Sequence, residues 1–147
     1  MSHDLQYQRL IAAAPEVVFD AFTGQAGQEA FYEVDRPGWV VTSTCDLRVG
    51  GLWAVDFGPS PDELYRHRYV FRAIERPRRL LLDMTELRLD GSSIEVEVEF
   101  RFEARDGGTL MTLTQWGFPT GELRDEHRRG TPNAFDRFTA VVVQAEP

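Results

Sequence analysis

"HRRGTPNAFDRFTAVV", His127 to Val142, is the stretch on which the reading of the whole chain turns. Phe135, Phe138, Thr139 and Val142 fall at i, i+3, i+4 and i+7, the spacing of one helical face. Yet Gly130 and Pro132 stand where that helix should already be running. Glycine commonly follows a helix end, and proline is tolerated at a first helical position, where its missing N–H has no partner to lose. The stretch therefore predicts a joint. A short helix, "GELRDEHRR" (Gly121 to Arg129), ends at Gly130, and a second helix is capped by Thr131 and opened by Pro132. That second helix turns Phe135 and Phe138 to one side, so something upstream must receive two phenyl rings.

What lies upstream is mostly strand. "IEVEVEFRFEA" is the clearest case: Ile94, Val96, Val98, Phe100 and Phe102 alternate with Glu95, Glu97, Glu99, Arg101 and Glu103. This gives one buried face and one wet face. Asp90-Gly91 and Asp106-Gly107 flank it as hairpin turns, and "TLMTLTQW" follows as its partner. Before it, "WVVTSTCDL" and "LWAVDF" flank Gly50-Gly51. "LYRHRYVFRAIE" and "LLLDMTE" are strands separated by "ERPRR". "FGPSPDE" reads as a loop because of its two prolines, and "DRPG" reads as a break. Near the start, "YQRLI" (Tyr7 to Ile11) is a short strand. Pro15 opens a helix whose face carries Val18, Ala21 and Phe22, and a second short helix covers Gln25 to Tyr32. Strand, one or two short helices, a run of antiparallel strands and a terminal helix imply an α+β fold with helices on one face of the sheet.

Composition narrows the classes of function. The 147 residues suit one domain, 1–147, with one core. The net charge of -8 argues against a nucleic-acid partner, since an acidic surface repels phosphates. No apolar run reaches the roughly 20 residues of a membrane span, and the N-terminus lacks signal-peptide character. Cys45 is alone, in keeping with a reducing, cytoplasmic setting.

Five stretches, taken in order, resemble one family: "RLIAAAPEVVFDAFT", "DLRVGGLWAVDF", "YVFRAIERPRRLLLDMTE", "GTLMTLTQWGFPTGE" and "EHRRG" followed by "FDRF". Nearly the whole chain is similar to the bacterial SRPBCC (START-like) proteins related to the C-terminal domain of activators of heat-shock-protein ATPase. The resemblance implies a helix-grip fold. In it a curved antiparallel sheet wraps a long C-terminal helix and leaves an apolar cavity between them. Members often carry Gly-Trp where this chain has Gly130-Thr131, and a Trp where it has Phe31-Tyr32. The missing rings would reshape the cavity.

Strand parity gives the candidate lining: Trp53 and Phe57; His67, Tyr69 and Phe71; Phe100; Met111, Leu113 and Gln115; with Phe135 and Phe138 from the helix. Such rings either fill a core or leave a pocket for an apolar or aromatic molecule, and the implied fold favours the pocket. His67 shares its face with Tyr69 and Phe71. It reads as a core histidine or as a hydrogen-bond donor to a ligand. Glu86 and Gln115 are further polar candidates, whereas His3 and His127 read as exposed. His3, His67 and His127 are too scattered for a metal motif, and no nucleophile elbow, phosphate loop or dinucleotide fingerprint occurs. No cofactor is expected. Arg66, Arg68 and Arg72, with Glu95, Glu97 and Glu99, should stud the outer face of the sheet.

The expected function is binding of a small hydrophobic molecule, with room for a homodimer and without catalysis. A chaperone-ATPase-modulating interaction is the alternative that the family resemblance carries. A cavity-based cyclase or hydrolase is the third.

Overall fold

A computed structural model describes residues 3–32 and 39–145. "DRPG" lies outside these residues. Strand β1 (His3–Ile11) leads into helices α1 (Pro15–Phe22) and α2 (Gln25–Tyr32). Strands β2 (Val40–Cys45), β3 (Leu52–Ser60), β4 (Glu63–Glu75), β5 (Arg79–Leu87), β6 (Ser93–Arg105) and β7 (Gly108–Phe118) follow, and helix α3 (Gly121–Ala145) ends the chain. The strands form one curved antiparallel sheet in the order β1-β7-β6-β5-β4-β3-β2. All three helices lie against its concave face. The expected α+β helix-grip architecture is thus observed.

Local chemistry sets most boundaries. Pro15 opens α1 with its missing N–H at no loss. Asp106 (φ 51°) and Gly107 (φ 79°) make the two-residue turn between β6 and β7, which requires positive φ at both positions. Two strands run longer than their sequence suggests. β1 begins at His3 rather than Tyr7, held by pairing with β7 from Phe118 inward. β3 runs through Pro59 to Ser60, leaving only Pro61 and Asp62 as the turn. Proline survives there because the β3–β4 register shifts between Phe57 and Ser60, and a bulge spares a ladder N–H.

The predicted joint at Gly130 does not form. Residues 121–145 are one helix, with Pro132 inside it. The cap is Thr120, whose hydroxyl accepts the Leu123 N–H at 3.1 Å. His127, Thr131, Ala134, Phe135, Phe138 and Val142 keep one unbroken inward face, while Gly130 and Pro132 are exposed. The packed face therefore holds the helix together, and the weak residues sit where water can take up a freed carbonyl. Thr131 does not cap; its hydroxyl donates to the His127 carbonyl at 2.8 Å. Across the joint region, Arg9 pairs with Asp136 at 2.8 Å and donates to the Pro132 carbonyl at 3.3 Å.

A Cβ at Gly130 meets nothing within 4 Å. Gly130→Ala should therefore raise stability by about 0.5–1 kcal/mol. Pro132→Ala should raise it further, by up to about 3 kcal/mol, because an interior proline is being removed. Urea midpoints measure both, and no gain from Pro132→Ala would mean that a new helix does start there.

The core lies between the helices and the sheet, built around Phe22. Its ring meets those of Phe31, Trp53, Phe100, Phe102 and Phe138 at centroid distances of 4.5–6.2 Å. Close approach of the helices depends on Gly27. A Cβ there would lie 2.0 Å from the Ala21 carbonyl oxygen and 3.1 Å from the Phe138 ring.

The outer face carries the expected ion pairs, including Arg68–Asp56 and Arg72–Glu97, each at 2.7 Å. Glu99 departs from the expectation, being buried rather than wet. Arg79 at 2.5 Å and Arg101 at 2.8 Å cover its carboxylate. Burial alone would raise its pKa, but these two guanidiniums outweigh that and hold it below the usual range.

Candidate functional site

The sheet and α3 do not close completely on each other. A cavity of about 240 Å³ remains toward the β5–α3 end. Its sheet side carries Phe57, Tyr65, His67, Tyr69, Glu86, Phe100, Leu113 and Gln115. Its helix side carries Phe31 and Tyr32 of α2, and His127, Gly130, Thr131, Ala134 and Arg137 of α3. Of the residues predicted from strand parity, Phe57, His67, Tyr69, Phe100, Leu113 and Gln115 therefore line the space. Trp53, Phe71, Met111, Phe135 and Phe138 do not; each is at most 1% exposed within the packed core.

One end of the cavity is polar, and its order comes from strand register. His67 of β4 and Glu86 of β5 are direct cross-strand partners. Glu86 also keeps parity with Leu80, Leu82 and Met84, so it points inward. His67 Nε2 lies 2.5 Å from Glu86 Oε1, and its Nδ1 lies 2.8 Å from the Tyr32 hydroxyl. Tyr32 in turn hydrogen-bonds the Tyr69 hydroxyl. His127 reaches down from α3, placing Nε2 3.1 Å from the same Glu86 Oε1. Its Nδ1 lies 2.9 Å from the Leu123 carbonyl oxygen. Arg88 takes the other carboxylate oxygen at 2.5 Å and clamps Glu126 at 2.9 and 3.0 Å.

These contacts bear on three expectations. His127 is not exposed; it is half-buried and tied to the sheet. His67 has both ring nitrogens engaged within the protein, which agrees with the core-histidine reading rather than with a donor left for a ligand. It also has a paired carboxylate, which the sequence did not reveal. His127 and Arg137 were missed altogether as lining, and Phe31 and Tyr32 entered only as positions where a missing ring would reshape the cavity. For His127 the signal was present: it lies one turn before Thr131 on the inward face of α3, and only the apparent break at Gly130 hid it.

The charges follow from burial and pairing. Burial would raise the Glu86 pKa, but hydrogen bonds from His127 and His67 reverse this and keep it ionised, well below the usual carboxylate range. Burial pushes His67 down, toward the neutral ring. Burial also works against a charge on His127, but the Glu86 carboxylate outweighs it and raises the pKa. Desolvation drives both tyrosine hydroxyls up, so they stay protonated. The end of the cavity thus holds an ionised carboxylate, a neutral imidazole and two hydroxyls in one hydrogen-bonded chain. Cys45 stands apart as a half-buried thiol whose pKa burial pushes up.

His67, Glu86 and His127 also form the group of metal-ligating type among the described residues, their donor atoms within 4.8 Å of one another. The scattered positions in sequence hid this, because β4, β5 and α3 each supply one residue. No helix among the described residues is long and apolar enough to cross a membrane.

Comparison with known proteins agrees with this architecture. The family model described as Activator of Hsp90 ATPase homolog 1-like protein matches residues 12–143. A solved structure of a Rhizobium leguminosarum protein superposes with a TM-score of 0.81 at 17% identity, over 98% of this chain and 96% of that one. Protein Ms6760 from Mycobacterium smegmatis gives 0.76 at 19% identity, over 94% and 89%. The AHSA1-like protein from Aeromonas hydrophila gives 0.72 at 22% identity, over 97% and 93%. At these identities the likeness concerns the fold alone. Among curated proteins, none matches the sequence.

Proposed function

The chain belongs to the Activator of Hsp90 ATPase homolog 1-like family, and from that premise we propose that it binds one compact hydrophobic or aromatic molecule between the sheet and α3. It does so as one domain, in the cytoplasm. The observation that carries this reading is the cavity itself, about 240 Å³, walled by rings and polar at one end. A site of this kind takes a ring system into its apolar part and orients it by an oxygen or nitrogen at the polar end. The size suits one or two fused rings rather than a long lipid chain.

The test uses 2-naphthol as the probe, followed by its own fluorescence and by thermal shift. Saturable one-to-one binding in the micromolar range, with a raised melting temperature, is expected, since a ligand of the native state alone stabilises it. Gly130→Trp should place an indole at the cavity mouth, where Gly130 is exposed with open space around it. We expect it to weaken the probe by at least about tenfold without loss of stability. No saturable binding by any of a panel of small aromatics, or binding unaffected by Gly130→Trp, overturns the reading.

A second reading has one observation in its favour. The Glu86–His67–Tyr32 chain is a carboxylate, imidazole and hydroxyl in series, an order suited to moving a proton at the Tyr32 oxygen. Turnover of a bound aromatic, lost in Tyr32→Phe while affinity survives, would establish acid–base catalysis in the cavity. A chaperone-modulating interaction has no comparable feature in its support.

A further inference from the structure

We propose that His67, Glu86 and His127 hold a divalent first-row cation of the zinc class at the polar end of the cavity, leaving a coordination position open toward it.

His127 Nδ1 lies 2.9 Å from a backbone carbonyl, so Nδ1 must carry a hydrogen to donate there. In the neutral ring Nε2 is then a bare lone pair, aimed at a carboxylate oxygen 3.1 Å away. Two lone pairs facing each other repel. Either a proton or a cation has to lie between them. His67 aims its own Nε2 at that same oxygen, 2.5 Å away. Three donor atoms of two imidazoles and one carboxylate thus converge on one place, and a cation serves all of them at once.

The surroundings have the form that holds metal ligands in place. A ligating imidazole usually donates its second nitrogen to a carbonyl, a carboxylate or a similar acceptor, which fixes tautomer and ring angle. His127 does so to Leu123. His67 has Tyr32, and the Tyr32–Tyr69 hydroxyl pair can run in either direction, so His67 can present a bare Nε2 without losing its partner. Arg88 occupies Glu86 Oε2 and leaves Oε1 to point at the two rings. The donor atoms lie within 4.8 Å of one another, and a zinc-class ion would draw each of them to about 2.0–2.2 Å. Two imidazoles and a carboxylate suit zinc, cobalt or iron(II) rather than magnesium or calcium.

Charge then indicates what the open position takes. Glu86 and Glu126 carry two negative charges and Arg88 one positive, so a divalent ion leaves the cluster with a single positive charge. An oxygen anion balances it. The bound molecule would accordingly be a compact aromatic carrying a carboxylate, phenolate or enolate oxygen. This last step rests on the cavity reading; the cation site itself does not.

The test uses the metal alone. Protein stripped with a chelator is titrated with Co²⁺ and with Zn²⁺ by calorimetry, and the Co²⁺ form is examined by visible and X-ray absorption. One equivalent is expected to bind at micromolar Kd or tighter, with two imidazoles and a carboxylate in the coordination shell. His127→Gln should weaken it by about 100-fold or more, at or beyond what losing a supporting contact does. His3→Gln, which removes the remaining histidine, should leave it unchanged. Absence of stoichiometric binding, a shell without imidazoles, an unaffected His127→Gln, or loss in His3→Gln each overturns the proposal. If His127→Gln does not fold, the absorption spectrum of the wild type decides. Binding of 2-naphthol to the stripped protein separately decides the cavity reading, so failure of one leaves the other readable.

Discussion

Phe22→Ala should destabilise the protein by about 3–5 kcal/mol, the range for deleting a buried aromatic from a core that cannot collapse around the gap. Phe22 is 1% exposed and sits where α1, α2, α3 and the sheet meet. Its ring touches Phe31, Trp53, Phe100, Phe102 and Phe138, with Phe100 nearest at 4.5 Å between centroids. These neighbours are rings fixed on separate elements, and aromatic contacts add to the area term. The void would open close to the natural cavity, since Phe31 and Phe100 line that too. Urea unfolding is the measurement. A loss below about 1.5 kcal/mol with an unchanged slope would mean that the helices settle inward and the core is softer than its packing implies.

Glu86→Ala is expected to have an effect of similar size, about 3–5 kcal/mol, for a different reason. Removing one member of a buried charged group leaves its partners without compensation. Here the partners are His67, His127 and Arg88, all bonded to one carboxylate that is 3% exposed. Glu86→Gln keeps the volume and should recover part of the loss, which separates charge from packing. A double-mutant cycle with His127→Gln then reads the coupling across the sheet–helix gap, expected between about 0.5 and 3 kcal/mol. A loss under about 1 kcal/mol for Glu86→Ala would show that water entering the cavity replaces the carboxylate.

Sequence alone was most legible where the deciding chemistry is local. The alternation through Ile94–Phe102, the turns at Asp90-Gly91 and Asp106-Gly107, and Pro15 at the start of α1 each announce themselves within a few residues. Gly130 and Pro132 are as local, and they misled, because the packing of Phe135, Phe138 and Val142 outweighs them. The error propagated: stopping the helix at Gly130 took His127 off its inward face. Parity correctly turned Trp53, Phe71 and Met111 inward, but parity has no information on depth along the strand. Whether an inward ring meets α1 and the core or faces open space depends on where the short helices cover the sheet. Glu86 was visible as an acid in the apolar register of Leu80, Leu82 and Met84. Its meeting with His67 depends on the β4–β5 register, which the hairpin through Arg76–Arg78 sets.

The strand order has a further consequence, which concerns time. β1 is first in the chain, yet its neighbour in the sheet is β7, so Leu5 pairs with Gln115 and Ile11 with Thr109. A nascent chain leaving the ribosome carries β1 with no partner until β2 to β7 have all been made. The hairpins from β2 to β7 connect successive neighbours and can form as they emerge, but the closing pair has every other strand between its members. Long-range closure of this kind slows folding, toward the roughly millisecond-to-second range of sheet-rich domains. During that interval the free edge of β7 and the apolar residues Leu5 and Ile11 are open to pairing with other chains. The β1–β7 pair is thus the last of the sheet to commit, and β1 acts as the clasp that completes it.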